Sequence, residues 1–404
     1  MNGMSPSLVE RPASVFLILF VQAFMFFGLF FALIYNVTEL TLFALIVLAV
    51  GLGAFLWSRV SLDHVDCKIV LNRTRLFPGE KLKIGIRAIN SKLLPILFKV
   101  DLFAPRAIVA SDTGQWISEE TGLLWYQQAV FSREFFPDRR GVYDLGPPML
   151  RAGDLFGFYF RRKTIMERFE VVVYPRIVNI RPVTLPKREF FGIPGAKSPV
   201  EDPVFVFGTR DYQPGRPARG IHWKASARHN RLQEKLCETA EQEKVLFLLD
   251  VDQFENEPAR EDFERILEVI ASLILQMDRR GIAVGFVTNG NILGGVSKII
   301  PISRSPRQVA AILEALARMD AKSAPPVTNI VSRGFQISWG TSSIYFAYQI
   351  SERTRSAVAF MKHRNIPIRF VVVQKSNDLD TDRDSQEEDT ICLENILAPE
   401  NPKK

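Results

Sequence analysis

Cysteine is scarce in this chain: Cys67, Cys237 and Cys392 are odd in number, far apart, and never in the close pairs that hold zinc. That pattern excludes the disulfide framework of a small secreted domain and fits a reducing compartment. Phosphate-cradling loops are missing too. Gly290-Asn291-Ile292-Leu293-Gly294-Gly295 has glycines but no Lys-Ser/Thr pair, so it reads as a hairpin turn and not as a nucleotide loop. Ribonucleoprotein, helix-turn-helix and zinc patterns are all absent, which leaves nucleic-acid binding without a motif. Nor does any nucleophile have a recognisable setting. Cys237 follows His222 by fifteen residues but falls on a predicted strand, where a buried apolar thiol is expected, so no catalytic residue is assigned.

The start of the chain lacks charge. No residue from Ala13 to Tyr35 is charged, and none from Leu40 to Trp57. At about 1.5 Å per residue the first run exceeds the roughly 30 Å of a hydrocarbon core. The second contains Gly51 and Gly53, which membrane helices tolerate. Residues 1–12 are then an N-terminal tail and 13–59 a transmembrane hairpin of two helices, 13–35 and 40–57, joined by Asn36-Val37-Thr38-Glu39. Arg11 and Arg59 flank the hairpin while the turn holds only Glu39, so the positive-inside rule faces both ends to the cytoplasm. A cleaved signal peptide fits less well: its apolar core would be too long, no small-residue cleavage pattern follows, and a second span comes at once.

What the chain does have is length and alternation. Its 404 residues exceed what one core usually organises, so two or three domains are expected. In Lys81-Leu82-Lys83-Ile84-Gly85-Ile86-Arg87-Ala88-Ile89 apolar residues mostly take every second place, the period of a half-buried strand. Similar runs, separated by Pro, Gly and Asp, predict an antiparallel β-sandwich over 65–180. A linker over 181–204 follows. Val245-Leu246-Phe247-Leu248-Leu249-Asp250 is a continuous apolar run ending in an acid, as in a buried parallel strand whose carboxyl end opens on a ligand crevice. Helical and strand patterns alternate from there to Val373, which predicts a doubly wound α/β domain within 205–375. The fold class expected is therefore α+β multidomain.

Charge is unevenly spread. The formal net charge is +7, yet Asn377 to Lys404 holds nine acidic residues against three basic ones, so the rest of the chain carries about +13. Residues 376–404 read as an acidic disordered tail, able to fold back on the chain's own basic motif and compete with a partner. The densest basic stretch is FGTRDYQPGRPARGIHWKASARHNRLQEK, from Phe207 to Lys235. Such donors beside Tyr212 and Trp223 suit phosphate, nucleic acid, lipid headgroups or an acidic protein surface. Pro214, Gly215 and Pro217 stiffen the segment, and Trp223 amid the charges argues for a fixed face over a merely solvated one.

TRDYQPG, then ARGIHWKASAR, then a strand ending in Asp250 resembles the signature of the bacterial and archaeal domain of unknown function 58 family. Upstream, RRGVYDLGPPMLRAGDLFGF from Arg139 to Phe158 is similar to that family's second stretch, where a GRY-like turn leads to a DPFG-like turn. The resemblance covers nearly the whole chain. It implies a membrane-anchored protein with a von Willebrand factor A-like domain, commonly encoded beside MoxR-type AAA+ ATPases and other A-domain or transglutaminase-like membrane proteins, and no established activity. With the orientation of the hairpin, the expectation is a multi-pass protein of the bacterial inner membrane whose soluble domains are cytoplasmic. Its binding residues would be Arg210, Asp211, Tyr212, Pro214, Gly215, Arg219, His222, Trp223, Lys224 and Arg228. Two departures stand out: Pro214-Gly215-Arg216 replaces the usual PGD, and the turn reads Asp154-Leu155-Phe156-Gly157.

A-domains that hold Mg²⁺ do so with a DxSxS loop, because the ion wants an octahedron of hard oxygens. The corresponding loop here, Asp250-Val251-Asp252-Gln253-Phe254, keeps two carboxylates and lacks both hydroxyls. Asp250 and Asp252 thus form at most a degenerate Mg²⁺ site; otherwise Asp250 hydrogen-bonds a neighbouring loop, and no other cofactor is expected. The leading expectation is a scaffold that docks a cytoplasmic ATPase in envelope-related assembly. Its rival is an enzyme or binding module that uses the same basic motif on anionic envelope precursors or phospholipid headgroups.

Overall fold

The structure is a computed structural model; it describes residues 13–108, 116–183, 201–213, 217–239, 243–254, 259–322, 341–363, 366–373 and 390–398. The expected N-terminal tail, most of the linker and the most acidic run, 374–389, lie outside the described residues. The chain is a mixed α/β protein that divides into two units, Met1–Tyr174 and Pro175–Lys404.

The first unit begins with two apolar helices, α1 (Ala13–Ile34) and α2 (Thr38–Val60), both long enough to cross a bilayer. Only 6% of Leu17–Ile34 and 17% of Thr38–Val60 is buried against the rest of the protein. The phenylalanines from Phe20 to Phe31 point outward, with Phe20 71% and Phe24 64% exposed, where the core helix of a soluble protein would turn them in. Small residues, Ala32, Ala44, Gly51 and Ala54, are buried between or beside the helices, and the Gln22 side chain lies over Gly51. Close backbone approach at small residues is how apolar helices associate without help from water.

Among the described residues ten strands follow: β1 (Val65–Leu71), β2 (Arg75–Leu76), β3 (Leu82–Asn90), β4 (Ile96–Phe103), β5 (Trp116–Leu123), β6 (Gln128–Phe135), β7 (Gly141–Leu145), β8 (Met149–Gly153), β9 (Phe160–Thr164) and β10 (Phe169–Val173). They form three sheets, ordered β1-β3-β6, β2-β10-β7 and β5-β4-β8-β9, antiparallel except for the short β2–β10 pair. The period-two reading of β3 is met residue by residue: Leu82, Ile84, Ile86 and Ala88 are buried, and Lys83 and Arg87 are exposed. These side chains join Phe98, Val100, Leu102, Leu150 and Val171 in one core. The end of α2 is tied to this layer. Trp57 Nε1 donates to the Pro95 carbonyl (2.8 Å), and Lys92 Nζ donates to the carbonyls of Val60, Ser61 and Asp63 at 2.5 to 2.8 Å. A cation at the helix C-terminus meets the negative end of the helix dipole, although burial pulls the Lys92 ammonium below its ordinary pKa.

The second unit opens with a two-stranded antiparallel ribbon, β11 (Glu201–Asp211) and β12 (Gln233–Thr239), with the short helix α3 (Trp223–His229) between them. Then come β13 (Lys244–Leu249), α4 (Ala259–Arg279), β14 (Ala283–Thr288), β15 (Asn291–Ile292), β16 (Ile299–Ser303), α5 (Gln308–Ala317), β17 (Met319–Asp320), β18 (Thr341–Ala347), α6 (Glu352–His363), β19 (Ile368–Val372), β20 (Thr390–Cys392) and α7 (Leu393–Ile396). The main sheet has the order β16-β14-β13-β18-β19-β20. β13, fully apolar, sits at its centre; Leu246 and Leu248 share one face with Tyr345, Phe370 and Met361. Phe247, on the other, stacks with Phe346 at 6.2 Å. The helical stripe of α4 is buried at Phe263, Ile266, Leu267, Ile270, Leu273, Ile274 and Met277.

The structure refines three points. β16 pairs antiparallel with β14, so the sheet is parallel only from β14 to β20; the loop through Gly290–Gly295 turns the chain straight back and leaves no room for a crossover. The first unit ends at Tyr174, because residues 178–181 bond instead to Ser272 of α4 and to Ile396 and Leu397 of the tail. The tail is not disordered throughout: β20 extends the sheet in parallel beside β19, and Leu393 and Ile396 are each 2% exposed. The apolar residues Ile391, Leu393, Ile396 and Leu397 drive that docking, and the acidic residues around them hid it in the average composition.

Candidate functional site

The basic motif is held by its own polar residues. Arg210, on β11, donates through Nη2 to Glu234 Oε1 of β12 at 2.6 Å, and the Glu234 side chain is only 8% exposed. Asp211 accepts from Gln233 Nε2 through Oδ1 and pairs with Arg231 at 3.1 Å through Oδ2. Tyr212 continues the ribbon, its N–H bonded to the Leu232 carbonyl at 2.9 Å. These three residues therefore serve the ribbon's register, and Arg210 and Asp211 do not stand free for a ligand.

His222 begins α3. Its Nδ1 accepts the Ala225 N–H at 3.1 Å, one of the donors a helix N-terminus leaves over. Ser226 completes the clamp: its Oγ donates to the His222 carbonyl (3.0 Å) and accepts the Gln233 N–H (2.8 Å). Asn230, in the left-handed region at φ 50°, ends the helix and returns the chain to β12.

With α3 fixed, Arg219, Trp223, Lys224 and Arg228 all point outward, joined by His229 and Arg231. Trp223 is 69% exposed, an unusual setting for the largest apolar side chain. The motif thus divides into an inner set that fixes the helix and an outer set of cations around one indole. Pro214 and Gly215, with Arg216, lie outside the described residues. Cys237 falls in β12, as expected.

A second polar cluster closes the carboxyl ends of β14, β13 and β18. Asp250 is 4% exposed. Its Oδ1 accepts from Asn289 Nδ2 (2.8 Å) and the Asp252 N–H (3.1 Å), and its Oδ2 from the Tyr345 hydroxyl (2.7 Å). Asn289 Oδ1 in turn accepts the Val251 N–H at 2.8 Å. Burial pushes the Asp250 carboxyl above its ordinary pKa, and burial beside Asp250 pushes the Tyr345 phenol up as well. Asn289 Nδ2 also reaches Asp252 Oδ1 at 3.4 Å, so the two carboxylates share one donor. Asp250 and Asp252 are the two carboxylates of the expected degenerate Mg²⁺ site; among the described residues no third His, Cys, Asp or Glu joins them. Through Asn289, Asp250 hydrogen-bonds the loop that follows β14. Asn289 and Tyr345 had no sequence signal, since neither lies in a motif.

A family model described as "Protein of unknown function DUF58" matches residues 208–333, which include both clusters except Tyr345. A Bacillus subtilis (strain 168) protein described as "Uncharacterized protein YeaD" is 23% identical over 262 residues, 64% of this chain, and the match spans 63% of that relative's length. Among solved structures, the CARDB domain of a Pyrococcus furiosus protein, crystallised with di-metal ions, has a TM-score of 0.19 at 11% identity, covering 27% of this chain and 91% of that one. A PapD-like domain of human CEP192 has a TM-score of 0.18 at 14% identity, covering 27% and 83%. At these TM-scores neither assigns a fold or a function to the chain.

Proposed function

We propose that this is a membrane-anchored interaction protein: α1 and α2 span a bacterial inner membrane, both units lie in the cytoplasm, and the outer face of α3 docks a protein with an acidic surface. The first unit's three sheets act as a β-sandwich spacer, and the main sheet of the second as a von Willebrand A-like domain that presents α3. The family resemblance makes a MoxR-type AAA+ ATPase, in envelope-related assembly, the first partner to test.

The observation that carries this reading is the division of labour in the motif. Arg210 is spent on the ribbon and His222 and Ser226 on holding α3, which leaves Arg219, Trp223, Lys224 and Arg228 exposed on a rigid support. A preorganised face loses little freedom on binding, and Trp and Arg are the side chains that dominate docking energies. For the catalytic rival, His222 would have to act as a base. Its Nδ1 is already the acceptor of the helix cap, so in the neutral ring Nε2 carries the proton and donates.

The test is recovery of partners on the full chain in detergent, comparing the wild type with Arg219→Glu combined with Lys224→Glu. Loss of a specific partner supports docking through α3, and equal recovery refutes it. Turnover of an anionic envelope precursor, abolished by His222→Ala, would establish the rival instead.

A further inference from the structure

The turn between β8 and β9 has a construction that docking through α3 leaves unexplained. Asp154 is completely buried, and its carboxylate accepts the N–H groups of Phe156 (3.0 Å), Phe158 (3.2 Å) and Tyr159 (2.7 Å). The Gly157 N–H goes to the Asp154 carbonyl at 3.1 Å, and Gly157 takes the reversal at φ 71°. Four consecutive backbone donors are therefore satisfied within the turn. Its outward side chains are apolar: Leu155 is 45% and Phe156 65% exposed, and Phe156 stacks on Phe158 at 5.5 Å.

Water would satisfy those donors without help and would disfavour such a tip. A turn at membrane depth has the opposite needs, since backbone donors must be met internally and side chains must be apolar.

Its position points the same way. The Tyr159 ring meets Phe55 of α2 edge-on at 5.6 Å, and the Tyr159 hydroxyl donates to Gln22 Oε1 of α1 at 3.3 Å. Phe55 is five residues before Val60, about 7.5 Å inside the end of α2 at 1.5 Å per residue. Directly after the turn, Arg161, Arg162 and Lys163 are exposed along β9, and Arg161 reaches the Arg59 carbonyl at 2.5 Å. An apolar tip followed by a band of cations is the order of a membrane interface, acyl chains first and lipid phosphates next.

We propose that Leu155–Phe160 is a third membrane contact: Leu155, Phe156 and Phe158 enter the headgroup and acyl boundary beside the hairpin, and Arg161–Lys163 lie on anionic lipid. This rests on reading α1 and α2 as spans. The inserted turn fixes the first unit against the bilayer and keeps it from swinging on the end of α2.

The test uses the full chain with Cys67, Cys237 and Cys392 replaced by Ser and one new thiol, from Phe156→Cys or Phe24→Cys, carrying an environment-sensitive fluorophore. Protein is placed in phosphatidylcholine and phosphatidylglycerol vesicles with spin-labelled lipids, the label near the headgroup or deep in the tail. Position 156 should show blue-shifted emission quenched more by the shallow label, and position 24 quenching by the deep one. Quenching at 24 with none at 156 leaves the spans standing and overturns the turn contact, as does a blue shift at 156 that no lipid quenches, which would mean protein covers it. Absence of quenching at both positions overturns the spans and this proposal together. Leu155→Cys repeats the measurement should Phe156→Cys fail to fold.

Discussion

Tyr345 donates its hydroxyl to Asp250 Oδ2 at 2.7 Å, from one parallel strand to the end of the next. With Asn289 and the Asp252 N–H on Oδ1, this makes a buried polar clasp at the carboxyl end of β13. Tyr345→Phe takes away one buried donor and should cost about 1–3 kcal/mol of stability. Thermal melting of the detergent-solubilised protein should show that loss. The same melts should not move with added Mg²⁺ or with EDTA; a rise of the midpoint with Mg²⁺ would mean the clasp opens to admit the ion.

The clasp also sets a pH dependence. Burial raises the Asp250 pKa in the folded protein, whereas in the unfolded chain it returns to about 3.9. Between those two values the folded state keeps a proton that the unfolded state has released, so stability is fullest below the unfolded value and declines as pH rises through the folded one. Asp250→Asn has no proton to lose. The stability of the wild type relative to Asp250→Asn should therefore fall as pH is raised from about 4 and level off above the folded pKa. Melting midpoints of the two proteins across that range check the sign; a difference that grows with pH contradicts it.

Inner and outer cations of the motif should separate by assay. Arg210→Ala takes the guanidinium from the nearly buried Glu234. A buried pair broken on one side costs about 3–5 kcal/mol, and because Arg210 is itself partly exposed the expected loss is about 1–3 kcal/mol. Lys224→Ala and Trp223→Ala, both at exposed positions, should leave the stability within about 0.5 kcal/mol of wild type. Partner recovery should fall with these two, and wild-type binding should weaken as salt rises. A large stability loss from Lys224→Ala would place it with the inner set.

How far these features could be read from the sequence depends on the range of the forces behind them. The two apolar helices were legible because absence of charge over twenty-odd residues is a local signal. So was the clustering of cations around Trp223. What charge could not say is which cations face inward: Arg210 and Arg219 look alike in sequence, and only the register of β11 on β12 sets Arg210 opposite Glu234. Asn289 and Tyr345 reach Asp250 from residues 39 and 95 positions away, a proximity that only the strand order creates. Composition misled at the tail, where an acidic run conceals a short apolar segment.

That tail yields the last prediction. β20 continues the sheet beside β19, and α7 buries Leu393 and Ile396. Residues 178–181 depend on it too, since the Arg181 N–H bonds to the Ile396 carbonyl (2.8 Å) and the Ala398 N–H to the Asn179 carbonyl (3.0 Å). Burying the two side chains stabilises by about 1.5–3 kcal/mol each, so deleting residues 390–404 should cost about 3–6 kcal/mol by that count. It also uncovers the edge of β19, whose open backbone groups invite pairing with another chain. The truncated protein should melt earlier and form larger species on size exclusion in detergent. A tail that acted only as a charged competitor for the basic face would, on deletion, raise partner affinity at low salt and leave melting and size unchanged, and that result would remove β20 and α7 from the fold.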